Sequence, residues 1–307
     1  MHLRRNLADR ILKTFVIVLF LAIPMICISG CKKSSGNAKK IQEGQLIKTW
    51  DYMEEEIPDS SPLLEIESLP PEKAFVWGGT VSHHLLADKQ IDSWFYELAK
   101  RRTVENFFLI CPSHYGLSSQ DWSLDNCRWQ TKNGIIFSND KIVKSIAQAL
   151  GVSYDSQVFP QEHGVNVLIP YIARYFPKAR VCVIALEGEP PLNQRKAQKL
   201  ADVLIPYFSD KNKTKNFLLI STDFAHHGNY EGTVFKDNRS REFFNNPTDS
   251  TWVFCGCDNR PGIYVISRLL SKNSKAAVLY HTNSFELSGF EENDITSYFF
   301  SFFYALP

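Results

Sequence analysis

No charge of one sign dominates this chain: 34 Lys and Arg face 33 Asp and Glu, a formal net charge of +1 over 307 residues. Without a basic excess there is no long-range pull toward a phosphate backbone, and no nucleic-acid partner is expected. Long hydrophobic runs are equally scarce. Only one occurs, at the extreme N-terminus, which excludes a multi-spanning membrane protein. The body carries no internal repeat and no composition break that would divide it. A disulfide framework is missing too. Beyond residue 31 the cysteines are Cys111, Cys127, Cys182, Cys255 and Cys257, an odd number without framework spacing. What is there is a globular composition, 44% hydrophobic and 22% charged, enough for a buried core and incompatible with a disordered chain.

The N-terminus reads as an export segment. Arg4, Arg5, Arg10 and Lys13 precede an uncharged apolar run from Thr14 to Ile28 (TFVIVLFLAIPMICI), long enough for a signal core and short for a spanning helix. Ile28-Ser29-Gly30-Cys31 then resembles the bacterial lipobox, an aliphatic and two small residues before a cysteine. That resemblance implies that residues 1–30 are removed, that Cys31 receives acyl chains, and that a membrane is a partner through this lipid anchor. Ordinary cleaved secretion and an uncleaved signal anchor are the other readings. Without residues 1–30 the balance becomes 30 basic against 32 acidic residues. Residues 31–71 read as a polar, then Pro-rich tether, with the folded body (72–307) starting near Glu72 and the part before about residue 45 dispensable.

Within the body, strand-length apolar runs alternate with helix-period segments. Strands are expected at 73–81, 104–111, 180–186, 215–221, 276–281 and 296–304, and a hairpin across 126–137 turning at Asn133-Gly134. Helices are expected at 85–100, 139–150, 164–175 (kinked or divided by Pro170), 192–208 and 261–270. Fully apolar short strands between helices imply one α/β domain, a mostly parallel central sheet covered by helices on both faces.

Histidine placement carries the chemistry. His83 follows the strand VWGGTVS, His114 follows FFLICPS and His226 follows FLLISTDFA. Ligands of open α/β sheets bind outside the carboxyl ends of the strands, so three strands bring imidazoles to one sheet edge. Together with the carboxylate of Asp223 and a thiolate at Cys255, this set suits zinc, iron or copper. Cys182, inside the run VCVIAL, reads as a buried inert thiol.

Cys111-Pro112-Ser113-His114, Gln161-Glu162-His163, the stretch from Ser221 to Gly228 (STDFAHHG) and Phe254-Cys255-Gly256 occur in the order and spacing of the Memo family, called AmmeMemoRadiSam system protein B in bacteria. The resemblance covers roughly residues 72–305. It implies a fold similar to class III extradiol dioxygenases and one transition metal ion, iron, copper or zinc. His83, His114 and Cys255 line up with the family's metal positions, with Asp223 completing the shell or orienting a ligand. His163 and His226 line up with further pocket histidines and are the candidate acid/base residues. His84, in His83-His84-Leu85-Leu86, competes with His83 for the ligand role. Cys257 is an extra thiol, and no glutamate stands where the dioxygenases complete a set of two histidines and one carboxylate.

The remaining groups have plainer readings. His281 is expected as a satisfied edge histidine, His227 to point away from His226, and Glu162 to cap the following helix. The leading expectation is an extracytoplasmic, lipid-anchored Memo-like protein with a mononuclear metal site and redox or oxygen chemistry on an unidentified small molecule. A non-catalytic lipoprotein binding metal or a small ligand, and a metallohydrolase, are the alternatives. Export would separate the chain from the radical-SAM and AMMECR1-type partners that the bacterial system's name implies.

Overall fold

Fully apolar segments such as Phe107–Cys111 and Val181–Leu186 have no polar face to turn to water, and they form the middle of a ten-stranded sheet covered on both sides. The computed structural model describes residues 44–49, 64–187, 194–209, 212–290 and 293–306. The expected export segment, Cys31 and most of the tether lie outside the described residues, which all belong to the compact unit Gln42–Pro307. Among them no helix is long and apolar enough to cross a membrane.

In chain order the elements are β1 (Leu46–Lys48), β2 (Phe75–Val81), α1 (Asp88–Arg101), β3 (Asn106–Pro112), β4 (Arg128–Thr131), β5 (Gly134–Ser138), α2 (Asp140–Leu150), α3 (His163–Asn166), α4 (Ile169–Tyr175), β6 (Arg180–Leu186), α5 (Gln194–Leu204), β7 (Asn216–Ser221), β8 (Phe224–Gly228), α6 (Tyr230–Asn245), α7 (Arg260–Arg268), β9 (Ser274–Asn283), α8 (Ser284–Ser288) and β10 (Ile295–Ala305). The sheet runs β1-β4-β5-β6-β3-β7-β2-β10-β8, with β9 also paired to β10. Its five central strands, β5-β6-β3-β7-β2, are all parallel, and β10 joins antiparallel to β2, β8 and β9. The expected single α/β domain with a mostly parallel sheet is the one observed.

Successive side chains of a strand face opposite layers. Phe107, Leu109, Val181 and Val183 pack with Trp94, Phe95 and Leu98 of α1 and with Ile172 of α4. Phe108, Ile110, Cys182 and Ile184 pack with Ile146 of α2, Leu200 of α5 and Ile266 of α7. Cys182 is the buried thiol expected, its pKa pushed up by that burial.

Three local expectations change, and the helix around Pro170 takes the divided one of its two expected forms. Thr131 pairs with Gly134, so the hairpin turns at Lys132-Asn133, one residue early. Pro170 divides its helix into α3 and α4, taking the first turn of α4 where its missing N–H is harmless. The sheet also reaches back past the expected start at Glu72: Leu46–Lys48 pairs parallel with Arg128–Gln130, and Ile47 is buried. Glu67 bonds the Leu279 carbonyl and pairs with Arg241, which holds the approach to β2 against the body. Finally, α6 has no forecast, because its buried residues Thr233, Asp237, Ser240, Phe243 and Phe244 mix polar with apolar and break the stripe.

At Gly79 of β2 there is no room for a side chain beneath β10 and α1. A Cβ there would sit 2.4 Å from the Ser301 carbonyl oxygen and 2.6 Å from the Trp94 ring. Gly79→Ala should therefore destabilise the fold by about 3 kcal/mol, the upper part of the overpacking range, measured by denaturant unfolding. An unchanged midpoint would mean that the two strands do not meet as closely as described.

Candidate metal centre

β7 lies between β2 and β3, all three parallel, with Val81 opposite Ser221 and Ile110 opposite Ile220. Each apolar strand ends abruptly in polar residues, so Ser82-His83, Ser113-His114 and Thr222-Asp223 emerge side by side at the carboxyl edge. The ring centroids of His83 and His114 are 4.8 Å apart. His163, at the start of α3, lies over the His114 ring at 3.9 Å and meets the His83 ring at 5.1 Å. Ligand atoms of His83, His114 and His163 lie within 4.8 Å of one another, as do those of His83, Asp223 and Asp258.

Hydrogen bonds fix which nitrogen each imidazole presents. The Ser221 hydroxyl donates its only proton to the Gly164 carbonyl (2.6 Å), so at its 2.9 Å contact with His83 Nδ1 it accepts. His83 therefore carries a proton on Nδ1 and turns Nε2 toward the carboxylates. His114 Nδ1 donates to Glu162 Oε1 at 2.6 Å, and Glu162 Oε2 accepts the His114 backbone N–H at 3.0 Å. A carboxylate behind a histidine is the arrangement that orients metal-binding imidazoles. Glu162 does cap α3, accepting from Gly164 N, but its oxygens serve His114 as well. Ser82 donates to Asp223 Oδ1 at 2.6 Å and fixes that carboxylate in turn.

Asp258 is the residue that sequence reasoning missed. Asn259, next in the chain, caps α7 by accepting from Gly262 N, while its amide donates to the carbonyls of Ile110 and Ser221. These bonds pin the start of α7 to the ends of β3 and β7, which places Asp258 at the convergence. Asp258 Oδ1 accepts from Thr222 Oγ1 (2.8 Å) and Asp223 N (3.0 Å). Oδ2 is buried and accepts no hydrogen bond of good geometry, yet His83 Nε2 lies at 3.2 Å, His226 Nε2 at 3.6 Å and His114 Nε2 at 3.7 Å. No local signal marks Asp258, because its position depends on Asn259 bonding across 149 residues to Ile110 and 38 to Ser221.

Cys255 does not join this group. It packs in the apolar layer with Phe224, Trp252 and Tyr264, and the charges acting on its thiol are Cys257 and Arg260, not the imidazoles. Burial pushes the thiol far above its usual pKa, which disfavours the thiolate a metal would need. Cys257 is likewise buried, with its pKa pushed up to about 12. Among the described residues no thiol belongs to either group that could hold a metal ion, whereas the carboxylate of Asp258 belongs to one. His83 Nε2 and His114 Nε2 do both face one Asp258 oxygen, a juxtaposition of two imidazoles with this carboxylate that the sequence did not indicate.

Electrostatics follow from the burial. Desolvation works against charge on His83, but Asp223 and Asp258 outweigh it and raise its pKa. Desolvation also opposes charge on His114, but the nearby Asp258 carboxylate and the bonded Glu162 raise it to about 9. Burial and the neighbouring His114 and His83 lower His163 to about 4, so at neutral pH it is an uncharged imidazole. Asp258, despite burial, is held well below the carboxylate range by the surrounding histidines, His83 first.

The other histidines divide cleanly. His84 turns away to bond Tyr298 Oη, whereas His83 faces Asp223 and Asp258. His226 sits between Ala225 (φ 28°) and His227 (φ 50°), both in the left-handed region that non-glycine residues avoid. This strained turn sends His226 toward Asp258 and His227 outward, where it pairs with Asp294 at 2.7 Å. His281 is satisfied by Asp237 at 3.0 Å, as expected of an edge residue.

A parallel α/β sheet with histidines and carboxylates gathered at its carboxyl edge defines a class of protein with a candidate metal centre at the strand ends. A family model described as Memo-like protein matches residues 86–290, more than half of the chain, which therefore belongs to the Memo family. A MEMO1 family protein of Sulfurisphaera tokodaii is 22% identical over 254 residues, 78% of this chain and 84% of its own length. One from Pyrobaculum arsenaticum is 25% identical over 236 residues, 73% of this chain and 82% of its own. Another, from Caldivirga maquilingensis, is 25% identical over 169 residues, and the match spans about half of each chain (54% and 55%).

Proposed function

We propose that this chain is a mononuclear metalloprotein whose ion is held by His83, His114 and Asp258, with Asp223 beside them. The observation that carries this reading is Asp258 Oδ2, a buried carboxylate oxygen with no hydrogen bond, faced by three imidazole Nε2 atoms at 3.2–3.7 Å. In the metal-free chain protonated imidazole balances that buried charge, and a cation at the same point would take the place of the protons. Two imidazoles and one carboxylate with open positions form the donor set of non-haem iron(II) sites, and the absence of a soft thiolate turns the preference away from copper(I). An ion bound there would supply Lewis-acid polarisation or electron transfer to a small-molecule ligand.

The chain's own residues do the rest. Glu162 and Ser221 hold His114 and His83 with Nε2 forward. His163, uncharged at neutral pH, can accept a proton from a bound molecule, with Tyr115 Oη 3.1 Å from its Nδ1 on the exposed side. His226 can donate to or accept from the same molecule. Anaerobic purification of the full chain, supplied with iron(II), should give one ion per chain by elemental analysis, and none in His83→Ala or His114→Ala. Wild type without stoichiometric metal under those conditions removes the reading. Zinc and copper bind nitrogen and oxygen sites more tightly than iron(II), so their exclusion is part of the experiment.

Export and lipid anchorage belong to the same proposal and are supported by Ile28-Ser29-Gly30-Cys31 behind its basic and apolar segments. Anchored outside the cytoplasm, the chain would be out of reach of a cytosolic radical-SAM enzyme. Cys31→Ser should leave an unprocessed precursor or release the protein from membranes, read by fractionation and gel mobility. Behaviour identical to wild type would contradict the anchor.

A further inference from the structure

Beside His114 and Asp258 a cavity of about 470 Å³ runs along the ends of β3 and β6. The metal centre alone does not account for the chemistry of its walls. Ser113, Ser118 and Ser123 line it with hydroxyl-bearing side chains, and Lys196 and Asp121 line it as an ion pair at 2.6 Å. Pro112, Ala185 and Leu186 supply aliphatic surface, Glu187 adds a further carboxylate, and among the described residues no phenyl, phenol or indole ring lines the cavity.

A planar aromatic ligand would find no ring but the His114 imidazole to stack against, and a wall of hydroxyls and charged groups it cannot satisfy. An anionic ligand would meet the carboxylates of Asp121 and Glu187, with Lys196 already paired to Asp121. A hydroxyl both donates and accepts, so it can bond serine hydroxyls, an ammonium or a carboxylate without disturbing that balance. Carbon-bound hydrogens between hydroxyls would pack on the aliphatic surface. Resting on the metal reading above, we infer that this cavity takes an aliphatic polyhydroxy compound, a sugar or cyclic polyol, with neighbouring hydroxyls directed toward the centre at His114 and Asp258.

The test titrates the iron(II)-loaded full chain, by calorimetry under anaerobic conditions, with myo-inositol and separately with catechol. The two probes share a six-membered ring and differ in what the ring offers the walls. Myo-inositol should bind more tightly than catechol, and Ser113→Val and Lys196→Met should each weaken it by about tenfold, the worth of one hydrogen bond to a polar or charged partner, at unchanged metal content. Tighter binding of catechol, or indifference of myo-inositol to both variants, overturns the inference. Metal content measured on the same samples separates the failures. Metal present without myo-inositol binding sinks this inference alone. Metal absent sinks the centre, and myo-inositol titrated into the metal-free chain then reads the walls directly: binding that depends on Ser113 and Lys196 supports them, and no binding overturns them.

Discussion

Asp258→Asn should empty the metal centre while the fold survives, and Cys255→Ala should leave the metal in place. The amide is the size of the carboxylate, and its oxygen can still accept from Thr222 Oγ1 and Asp223 N, the two bonds Asp258 Oδ1 makes. Its NH₂ group would then face His83, His114 and His226 where Oδ2 now stands, putting donors where a cation should be. Loss of a group that merely orients a ligand costs roughly 10–100-fold in metal affinity, so removing the carboxylate itself should cost more than about 100-fold. Cys255 lies in the apolar layer, and truncating it to Ala should cost about 1 kcal/mol of stability through lost packing without changing metal content. The reverse pattern, metal kept in Asp258→Asn and lost in Cys255→Ala, would restore the thiol as ligand.

Metal affinity should rise steeply with pH. In the metal-free chain burial opposes charge on His83 and His114, but the surrounding carboxylates outweigh it and raise both pKa values, His114 to about 9. Near neutral pH the His114 imidazole therefore holds a second proton, on the Nε2 that a metal would need, and His83 is shifted in the same direction. Each proton displaced makes apparent affinity rise about tenfold per pH unit, so His114 alone should give about two orders of magnitude or more between pH 6.5 and 9. Stability of the metal-free chain moves the other way. A raised folded-state pKa contributes stability that is complete below the unfolded value of 6.5 and is lost as pH climbs through about 9. The gap in thermal midpoint between metal-loaded and metal-free protein should accordingly widen from pH 6.5 to 9. A gap that is flat or narrows over that range would mean that protons and metal do not compete at these nitrogens.

His83, His114 and Asp223 could be placed together from sequence because buried parallel strands are nearly pure apolar runs that stop sharply at the sheet edge, and the residue after the stop is at the ligand-binding end. Asp258 offers no such signature. It is set by Asn259 reaching the carbonyls of Ile110 and Ser221, contacts between segments far apart in the chain. The Cys255-Gly256 pair drew the ligand assignment three residues away from the side chain that converges. β1 was hidden for a different reason: three residues with one buried side chain, Ile47, are too few to show alternation. Glu162 was legible as a helix cap, but a cap uses its carboxylate locally, and the bond to His114 across 48 residues of chain is tertiary. The choice between His83 and His84 likewise waited for the fold, since only the position of Tyr298 on β10 decides which imidazole is drawn away.

X-ray absorption at the iron edge, on anaerobically loaded protein, tests the central claim most directly because it reads the atoms around the ion. Ligation by His83, His114 and Asp258 predicts nitrogen and oxygen neighbours only, at about 2.0–2.2 Å by analogy with zinc–histidine and zinc–carboxylate distances, with the outer-ring scattering of two or more imidazoles. A sulfur neighbour at about 2.3 Å, the zinc–thiolate distance, or the absence of imidazole scattering would contradict it.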